Sequence, residues 1–401
     1  MRILMVTREY GKFIVGGAGV ATTKLVKYLR LEGAEVHVLS FGDPSYNNEF
    51  DHYISPRGSI LTESRQVTNI PSDIMIFHDI LRLTKEAKRL AKTYGCEVIH
   101  VQEPYVGGLI TFDERKITTI HDTSYGEIKA IKEGGFNTVQ DVKKLAFYSS
   151  MGYAMELLSI ATSRLLITPS NIAKRELVDA YGVSHEKVVV IHNGVEMPDI
   201  SCTKEEARAI LGLPDDKLII FTAARHIPRK RFDMLIKSIY ELCYKDKRLH
   251  DKLLVIIGGS GFMTPQLKKM AVKCGLNNIL FPGWISSEKL PFYYLSSDIY
   301  AFTSNSESAP LALLEACSYG LPIVTTMVGD YAALMKSGHN AIVITPNSVT
   351  ELAKSLLLLI QDENLRRNLS KNAREFARRF SWKEIAREHL KVYKTILTNG
   401  K

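Results

Sequence analysis

Apolar residues follow two rhythms along this chain. Short runs rich in Val, Ile and Leu are separated by longer segments whose apolar positions return every three or four residues. The first rhythm predicts buried strands and the second amphipathic helices; their alternation predicts parallel sheets covered by helices. Strands are expected at Arg2–Thr7, Glu35–Phe41, Val98–Gln102, Lys116–His121, Leu165–Pro169 and Lys187–His192 in the first half. In the second half they are expected at Lys217–Ala223, Lys252–Gly258, Asn278–Pro282, Asp298–Thr303, Leu321–Thr326 and Ala341–Thr345. The halves read as two copies of one α/β architecture, and 401 residues are long for a single core. Asn193-Gly194-Val195-Glu196-Met197-Pro198 between them is turn-rich and helix-breaking, which places a boundary after Gly194. The expected domains are therefore 1–194 and 195–380, with a last helix over 381–401 for which Ser381 is the expected N-cap.

Composition narrows the class. Hydrophobic content of 45% and charged content of 24% are those of a globular protein. The five cysteines are scattered without a Cys-x-x-Cys, which favours a reducing compartment over a disulfide framework or zinc site. No signal peptide and no membrane-spanning stretch are read, so a cytoplasmic protein is expected; the longest apolar window, Met151 to Pro169, is broken by Glu156 and Arg164. The excess of 52 basic over 43 acidic residues gathers near the tail, at Arg366, Arg367, Lys371, Arg374, Arg378 and Arg379. That cluster reads either as a solvated helix face or as attraction to an anionic partner: a membrane surface, a nucleic acid or a phosphorylated substrate.

Three segments carry candidate chemistry. Gly16-Gly17-Ala18-Gly19 opens a helix, where small residues and exposed N–H groups favour a phosphate; a plain glycine turn is the alternative. It is not a dinucleotide fingerprint, because Thr22 stands where the third glycine is due and the glycines lie too far from their strand. Arg225-His226-Ile227-Pro228-Arg229-Lys230-Arg231 follows a strand end, where cations suit a diphosphate, or form a solvated basic turn. Glu307-Ser308-Ala309-Pro310-Leu311-Ala312-Leu313-Leu314-Glu315 puts one carboxylate in a strand-to-helix loop and another inside an apolar helix. A buried carboxylate needs partners, and two ribose hydroxyls would supply them.

The Glu307…Glu315 pair with Leu311 between, then Ala316, Gly320 and Pro322, resembles the Glu-x7-Glu signature of family-four (group 1) retaining glycosyltransferases. Gly16-Gly17, Ile120-His121-Asp122, Asn193-Gly194-Val195, the Arg225…Lys230 spacing and Phe380-Ser381-Trp382 match the same family in order. The resemblance covers essentially the whole chain. It implies a GT-B fold of two facing, doubly wound Rossmann-like domains, the first on the acceptor side and the second binding the nucleotide sugar, with a C-terminal crossover helix returning to the first. It implies that Glu315 holds the donor ribose, Glu307 contacts the transferred sugar, and Arg225 and Lys230 bind the diphosphate. It also implies that Gly16 and Gly17 admit the diphosphate, Leu311 lines the donor site, and His121 hydrogen-bonds the donor sugar or its phosphate. No metal or other cofactor is expected, because no Asp-x-Asp and no His/carboxylate cluster with ligand spacing occurs.

Departures from the family pattern are informative. Ser308-Ala309-Pro310 replaces the usual Gly-Phe-Gly, and proline removes a backbone donor. Gly329-Asp330-Tyr331-Ala332-Ala333 is a degraded Gly-Gly-x-x-Glu, and Trp284 is read as flanking the base or packing in the core. The expected partners are a nucleoside-diphosphate sugar and a glycan, lipid-linked or small-molecule acceptor, with peripheral association at the inner membrane surface if the basic face docks on lipid, and no nucleic acid. Acceptor choice is expected in loops Gly42–Asp73 and Gly126–Asp141. A non-catalytic nucleotide-sugar sensor and a glycoside hydrolase are the alternatives.

Overall fold

The protein is described by a computed structural model over residues 1–14, 16–56, 73–110, 115–134, 139–199 and 201–398. The chain divides into two compact units, Met1–Gly194 with Trp382–Lys401, and Val195–Ser381.

In the first unit, β1 (Arg2–Val6), β2 (Glu35–Phe41), β3 (Asp51–Ile54), β4 (Val98–Val101), β5 (Lys116–Thr119), β6 (Leu165–Thr168) and β7 (Val188–Val190) form one parallel sheet in the order β3-β2-β1-β4-β5-β6-β7. In the second, β8 (Leu218–Ala223), β9 (Leu253–Gly258), β10 (Ile279–Leu280), β11 (Ile299–Phe302), β12 (Ile323–Thr326) and β13 (Ile342–Ile344) form a parallel sheet in the order β10-β9-β8-β11-β12-β13. Both are doubly wound orders that reverse beside the first strand of their unit.

The second unit shows why the runs become strands. Ile220, Val255, Ile257 and Ile299 face one core with Leu235, Ile236 and Ile239. Ile219, Phe221, Tyr300 and Phe302 face the other, with Leu313, Leu314 and Phe376. A strand buried on both faces cannot alternate polar and apolar residues, so it reads as a continuous hydrophobic run. The helix Phe232–Lys245 buries Phe232, Leu235, Ile236, Ile239, Leu242 and Cys243, the stripe of an amphipathic helix. Each Leu or Ile buried in this way contributes roughly 1.5–3 kcal/mol.

Two expectations change. β3 lies inside the expected loop Gly42–Asp73; as a short edge strand burying only Tyr53, it carries little of a core pattern. The rest of that loop, 57–72, lies outside the described residues. The expected loop Gly126–Asp141 is mostly helix, Ser124–Gly134 and the start of Val139–Ser149, with 135–138 outside the described residues. The apolar window from Met151 is a helix, Met151–Thr162, followed by β6. Among the described residues, no helix is long and apolar enough to cross a membrane.

Candidate active site

Ligands of open parallel sheets bind beyond the carboxyl ends of the strands, where the strand order reverses. In the second unit that position lies between β8 and β11, and the loops leaving these strands carry the predicted residues. The two loops are stitched together: Asn305 N–H donates to the Arg229 carbonyl (2.8 Å), and the Thr303 hydroxyl donates to the Lys230 carbonyl (2.7 Å). The loop after β8 is shaped from inside by His226. This fully buried ring contacts the Thr264 hydroxyl at 2.8 Å and the Gly258 carbonyl at 3.3 Å, which turns its neighbour Arg225 out to solvent. Gly259 and Gly261 make this packing possible, since an added Cβ would stand 2.0 Å from the Ala224 carbonyl oxygen and 2.4 Å from that of His226. Just past Lys230, Arg231 is held left-handed at φ 51°, a non-glycine conformation that costs of order 1–3 kcal/mol and is found at functional sites.

Lys230 and Glu307 meet as an ion pair, Nζ to Oε1 at 2.5 Å, with side chains only 15% and 9% exposed, and Arg229 stands 3.6 Å from Oε2. Burial alone would push the Glu307 carboxyl up, but Lys230, Arg229 and a Ser304 hydrogen bond outweigh it and hold the group below the usual carboxylate value. Burial likewise pulls the Lys230 ammonium below the ordinary lysine value, with Glu307 opposing and Arg229 and Arg225 reinforcing. The loop thus carries more positive charge than its carboxylate neutralises. Sequence reading placed Arg229 in the cationic loop but did not pair it with Glu307, a partner 78 positions away that leaves no local signal.

Glu315 lies in the helix Leu311–Ser318 as expected, but on its partly exposed side, with Leu313, Leu314, Ala316 and Cys317 buried around it. One carboxylate oxygen is already satisfied: the Tyr294 hydroxyl donates to Oε2 at 2.9 Å. Tyr294 is 2% exposed, and burial followed by the nearby Glu315 charge pushes its phenol well up, so it remains a donor. This tyrosine was missed, because only the fold brings it to Glu315. Leu311 opens the helix and is half-buried, after Pro310 as N-cap. Gly329, at φ 76°, lies under this turn, where an added Cβ would be 2.9 Å from Pro310 Cδ and 3.0 Å from the Ser308 carbonyl oxygen. The degraded glycine motif therefore keeps the one glycine that backbone and packing require. Trp284 is 59% exposed, which overturns its core-packing reading.

In the first unit the order reverses between β1 and β4, and the glycine-opened helix Gly17–Leu31 begins in the loop after β1. A carboxylate of the chain itself stands at that helix start. Glu9, 1% exposed, accepts from Gly16 N–H at 2.8 Å and pairs with Arg8. Gly19 closes against it, an added Cβ lying 2.8 Å from Glu9 Cβ, whereas a Cβ on Gly17 would meet nothing within 4 Å. Gly16 thus serves an internal anion, whereas the side-chain position of Gly17 faces open space. Glu103, after β4, is 4% exposed; its Oε2 accepts from Arg8 N–H at 3.1 Å and from Thr7, while Oε1 has no hydrogen-bond partner. Burial pushes its carboxyl up to about 7. His121, at the end of β5, is held neutral: burial lowers it to about 4, with Glu9 opposing.

Two family models match the chain in series, Glycosyltransferase Family 4 over residues 15–197 and Glycosyl transferases group 1 over residues 203–376. The chain belongs to the group 1 glycosyltransferases. A Methanocaldococcus jannaschii protein named as an uncharacterized glycosyltransferase is 27% identical over 98% of each chain. D-inositol 3-phosphate glycosyltransferase of Streptomyces bingchenggensis is 31% identical over 58% of this transferase and 53% of its own length. Among solved structures, Anabaena HepE in complex with UDP-glucose superposes with a TM-score of 0.73 at 19% identity, covering 98% of this chain and all of that one. Sucrose-phosphate synthase from Thermosynechococcus elongatus gives 0.74 at 19% identity, with both chains covered completely. The fold of this transferase is GT-B.

The expected basic face of the transferase lies in and beside the helix Glu363–Arg378. There Arg367 and Arg378 pair with Glu363 and Glu375, Arg366 donates to the Leu359 and Ile360 carbonyls, and Arg379 lies over the Phe376 and Phe380 rings. Two of the six cations, Arg367 and Arg378, are thus offset by carboxylates of the same helix, which reduces the charge offered to an anionic surface.

Proposed function

We propose that this glycosyltransferase moves a hexose from a nucleoside-diphosphate sugar to an acceptor hydroxyl with retention at the anomeric carbon, and that Arg225 and Lys230 rather than a divalent metal offset the charge of the departing diphosphate. The observation that carries the reading is the paired loop after β8 and β11, where Arg229 and Lys230 surround Glu307 and Glu315 stands ready on Tyr294. Breaking the sugar–phosphate bond leaves about two to three negative charges on the diphosphate, and preorganised cations stabilise charge that develops in the transition state. Glu307, kept ionised, accepts from sugar hydroxyls, while Glu315, whose Oε2 already accepts from the Tyr294 hydroxyl, accepts from a ribose. Retention rests on the family resemblance; front-face attack, with the departing phosphate taking the acceptor proton, is the route consistent with it.

Uridine is the first base to try, since Anabaena HepE was solved with UDP-glucose. The name of one relative, D-inositol 3-phosphate glycosyltransferase, puts phosphorylated polyols first among acceptors. A glycoside hydrolase is disfavoured because it needs one carboxyl raised as general acid, and Glu307 is shifted the other way. A thermal-shift panel of UDP-, GDP- and ADP-sugars tests the donor; ligand at 100 times its dissociation constant adds about 2.7 kcal/mol. Turnover follows with and without EDTA, and proton NMR coupling reads the anomer formed. Binding without turnover would favour a sensor, inverted product would end the retaining assignment, and activity restored only by magnesium or manganese would end the metal-free one.

A further inference from the structure

Among the described residues, two that are not glycine have a positive φ, Arg231 at 51° and Asn347 at 66°. A left-handed residue other than glycine is disfavoured by about ten-fold unless its surroundings hold it. These two hold each other, because Arg231 Nη1 donates to Asn347 Oδ1. The same guanidinium takes Asp233 in its fork, Nε to Oδ1 at 3.0 Å and Nη2 to Oδ2 at 3.2 Å. Burial alone would raise the Asp233 carboxyl, but Arg231 and Lys237 outweigh it and hold the group below its ordinary value. The carboxylate therefore stays ionised at neutral pH, as a charge-assisted pair requires.

The turn is needed because the residues on either side of Arg231 face opposite ways. Lys230 reaches Glu307 at the carboxyl edge of the sheet, while Phe232 is buried in the core and opens the helix Phe232–Lys245. Arg231 joins them: its N–H donates to the Pro228 carbonyl at 3.1 Å, and its own carbonyl accepts from Met234 N–H at 2.9 Å. Asn347 comes from the loop after β13, just ahead of the helix Val349–Gln361. The Ser238 hydroxyl ties the two helices, donating to the Val349 carbonyl at 3.0 Å.

We propose that Arg231 is a positioning residue for Lys230: its side chain, fastened to Asp233 and Asn347, fixes the left-handed turn that faces the Lys230 ammonium toward Glu307 and the donor diphosphate. Arg231 acts through its backbone and not through a contact with substrate. Glycine adopts this backbone without steric cost, and alanine does not. Glycine, which can clasp nothing, should therefore replace Arg231 better than alanine does. The inference rests on the reading of Lys230 as a diphosphate cation.

The test compares Arg231→Ala, which loses both the clasp and the turn, with Arg231→Gly, which loses the clasp alone. In the full chain labelled with 13C-lysine, with no donor present, the Cε shift of Lys230 is followed by NMR through a pH titration. The wild type is expected to titrate below the ordinary lysine value, as burial of the ammonium dictates. Arg231→Ala should move that titration up toward the ordinary value, and Arg231→Gly should keep it low. With UDP-glucose as donor and water as acceptor, Arg231→Ala should lower kcat about ten-fold, and Arg231→Gly should recover most of the loss. Asn347→Gly keeps its own left-handed backbone and removes only the carboxamide. It should lower kcat about five-fold in the wild-type background and have no further effect in the Arg231→Gly background. Alanine and glycine variants that titrate alike overturn the proposal. Should Arg231→Ala fail to fold, Asn347→Gly decides: a loss that disappears in the Arg231→Gly background supports the clasp, and the same loss in both, or none in either, overturns it. A wild type that does not turn over UDP-glucose counts against the proposed donor, and the lysine titration then tests the turn by itself.

Discussion

The two sheets reverse their strand order in the same way, yet the loops at the two reversal points carry opposite chemistry. In the second unit, Arg225, Arg229 and Lys230 surround the single carboxylate of Glu307. In the first, two buried carboxylates, Glu9 and Glu103, flank Arg8. A doubly wound sheet fixes where a ligand will be met, since every strand points its carboxyl end to one edge. What the edge will accept depends on the side chains placed there: surplus cations suit a diphosphate, while a helix start already serving Glu9 is a poor seat for a second anion.

The largest expected effect tests the cationic edge. Lys230→Ala and Arg225→Ala should each lower kcat by about 10²–10³, the equivalent of about 2.7–4 kcal/mol per preorganised donor. Steady-state turnover against UDP affinity gives the measurement. Turnover intact in Lys230→Ala would mean that the charge contrast between the two edges has nothing to do with the donor.

The next effect sharpens the contrast through pH. The folded Glu103 carboxyl, at about 7, lies above its ordinary value of 4.5. Its contribution to stability is therefore fully present below pH 4.5 and is lost as pH rises through about 7. Glu103→Gln removes that loss, so the variant should gain on the wild type as pH rises, with a ceiling of roughly 3 kcal/mol. Glu307 is shifted the opposite way, and its contribution is present above the unfolded value and lost as pH falls through the folded one. Glu307→Gln should accordingly destabilise at neutral pH. Melting curves from pH 5 to 9 check both; shifts of the same sign at pH 8 would erase the distinction between the two carboxylates.

A smaller effect belongs to Tyr294. Tyr294→Phe removes the hydroxyl that holds Glu315 Oε2, at a cost of about 1 kcal/mol, so the donor dissociation constant should rise roughly five-fold. Glu315→Ala should weaken donor binding more without unfolding the chain, and titration calorimetry ranks the two. Equal affinity in wild type and Tyr294→Phe would show that the phenol does not orient the carboxylate.

These residues also mark how much was legible beforehand. Strands buried on both faces announce themselves as apolar runs, which is why β8, β9 and β11 were located within a residue or so. The edge strand β3, with one buried side chain, left no such pattern. Glu307 and Glu315 stood out by spacing and resemblance, but their partners did not. Tyr294 is 21 positions from Glu315, and Lys230 is 77 from Glu307, so only the folded sheet joins them. Glu9 and Glu103 were invisible for a different reason: a single acidic residue just past a strand end reads as surface, and nothing local says that the chain will bury it.

The smallest expected effect separates the two neighbouring glycines of the first unit. At Gly19 a methyl group would press into Glu9, with Cβ at 2.8 Å and Oε2 at 2.9 Å, and the carboxylate that accepts from Gly16 N–H would have to move. Overpacking of this kind typically costs about 1–3 kcal/mol, so Gly19→Ala should lower the melting temperature whatever the ligand. At Gly17 a methyl group meets nothing within 4 Å, and the backbone there is that of a first helical residue. Gly17→Ala should therefore leave stability within about 0.5 kcal/mol of the wild type. If open space at Gly17 is kept for the close approach of a diphosphate, the same variant should still weaken UDP-glucose binding. A melting temperature unchanged together with an affinity unchanged would make Gly17 an ordinary helix start.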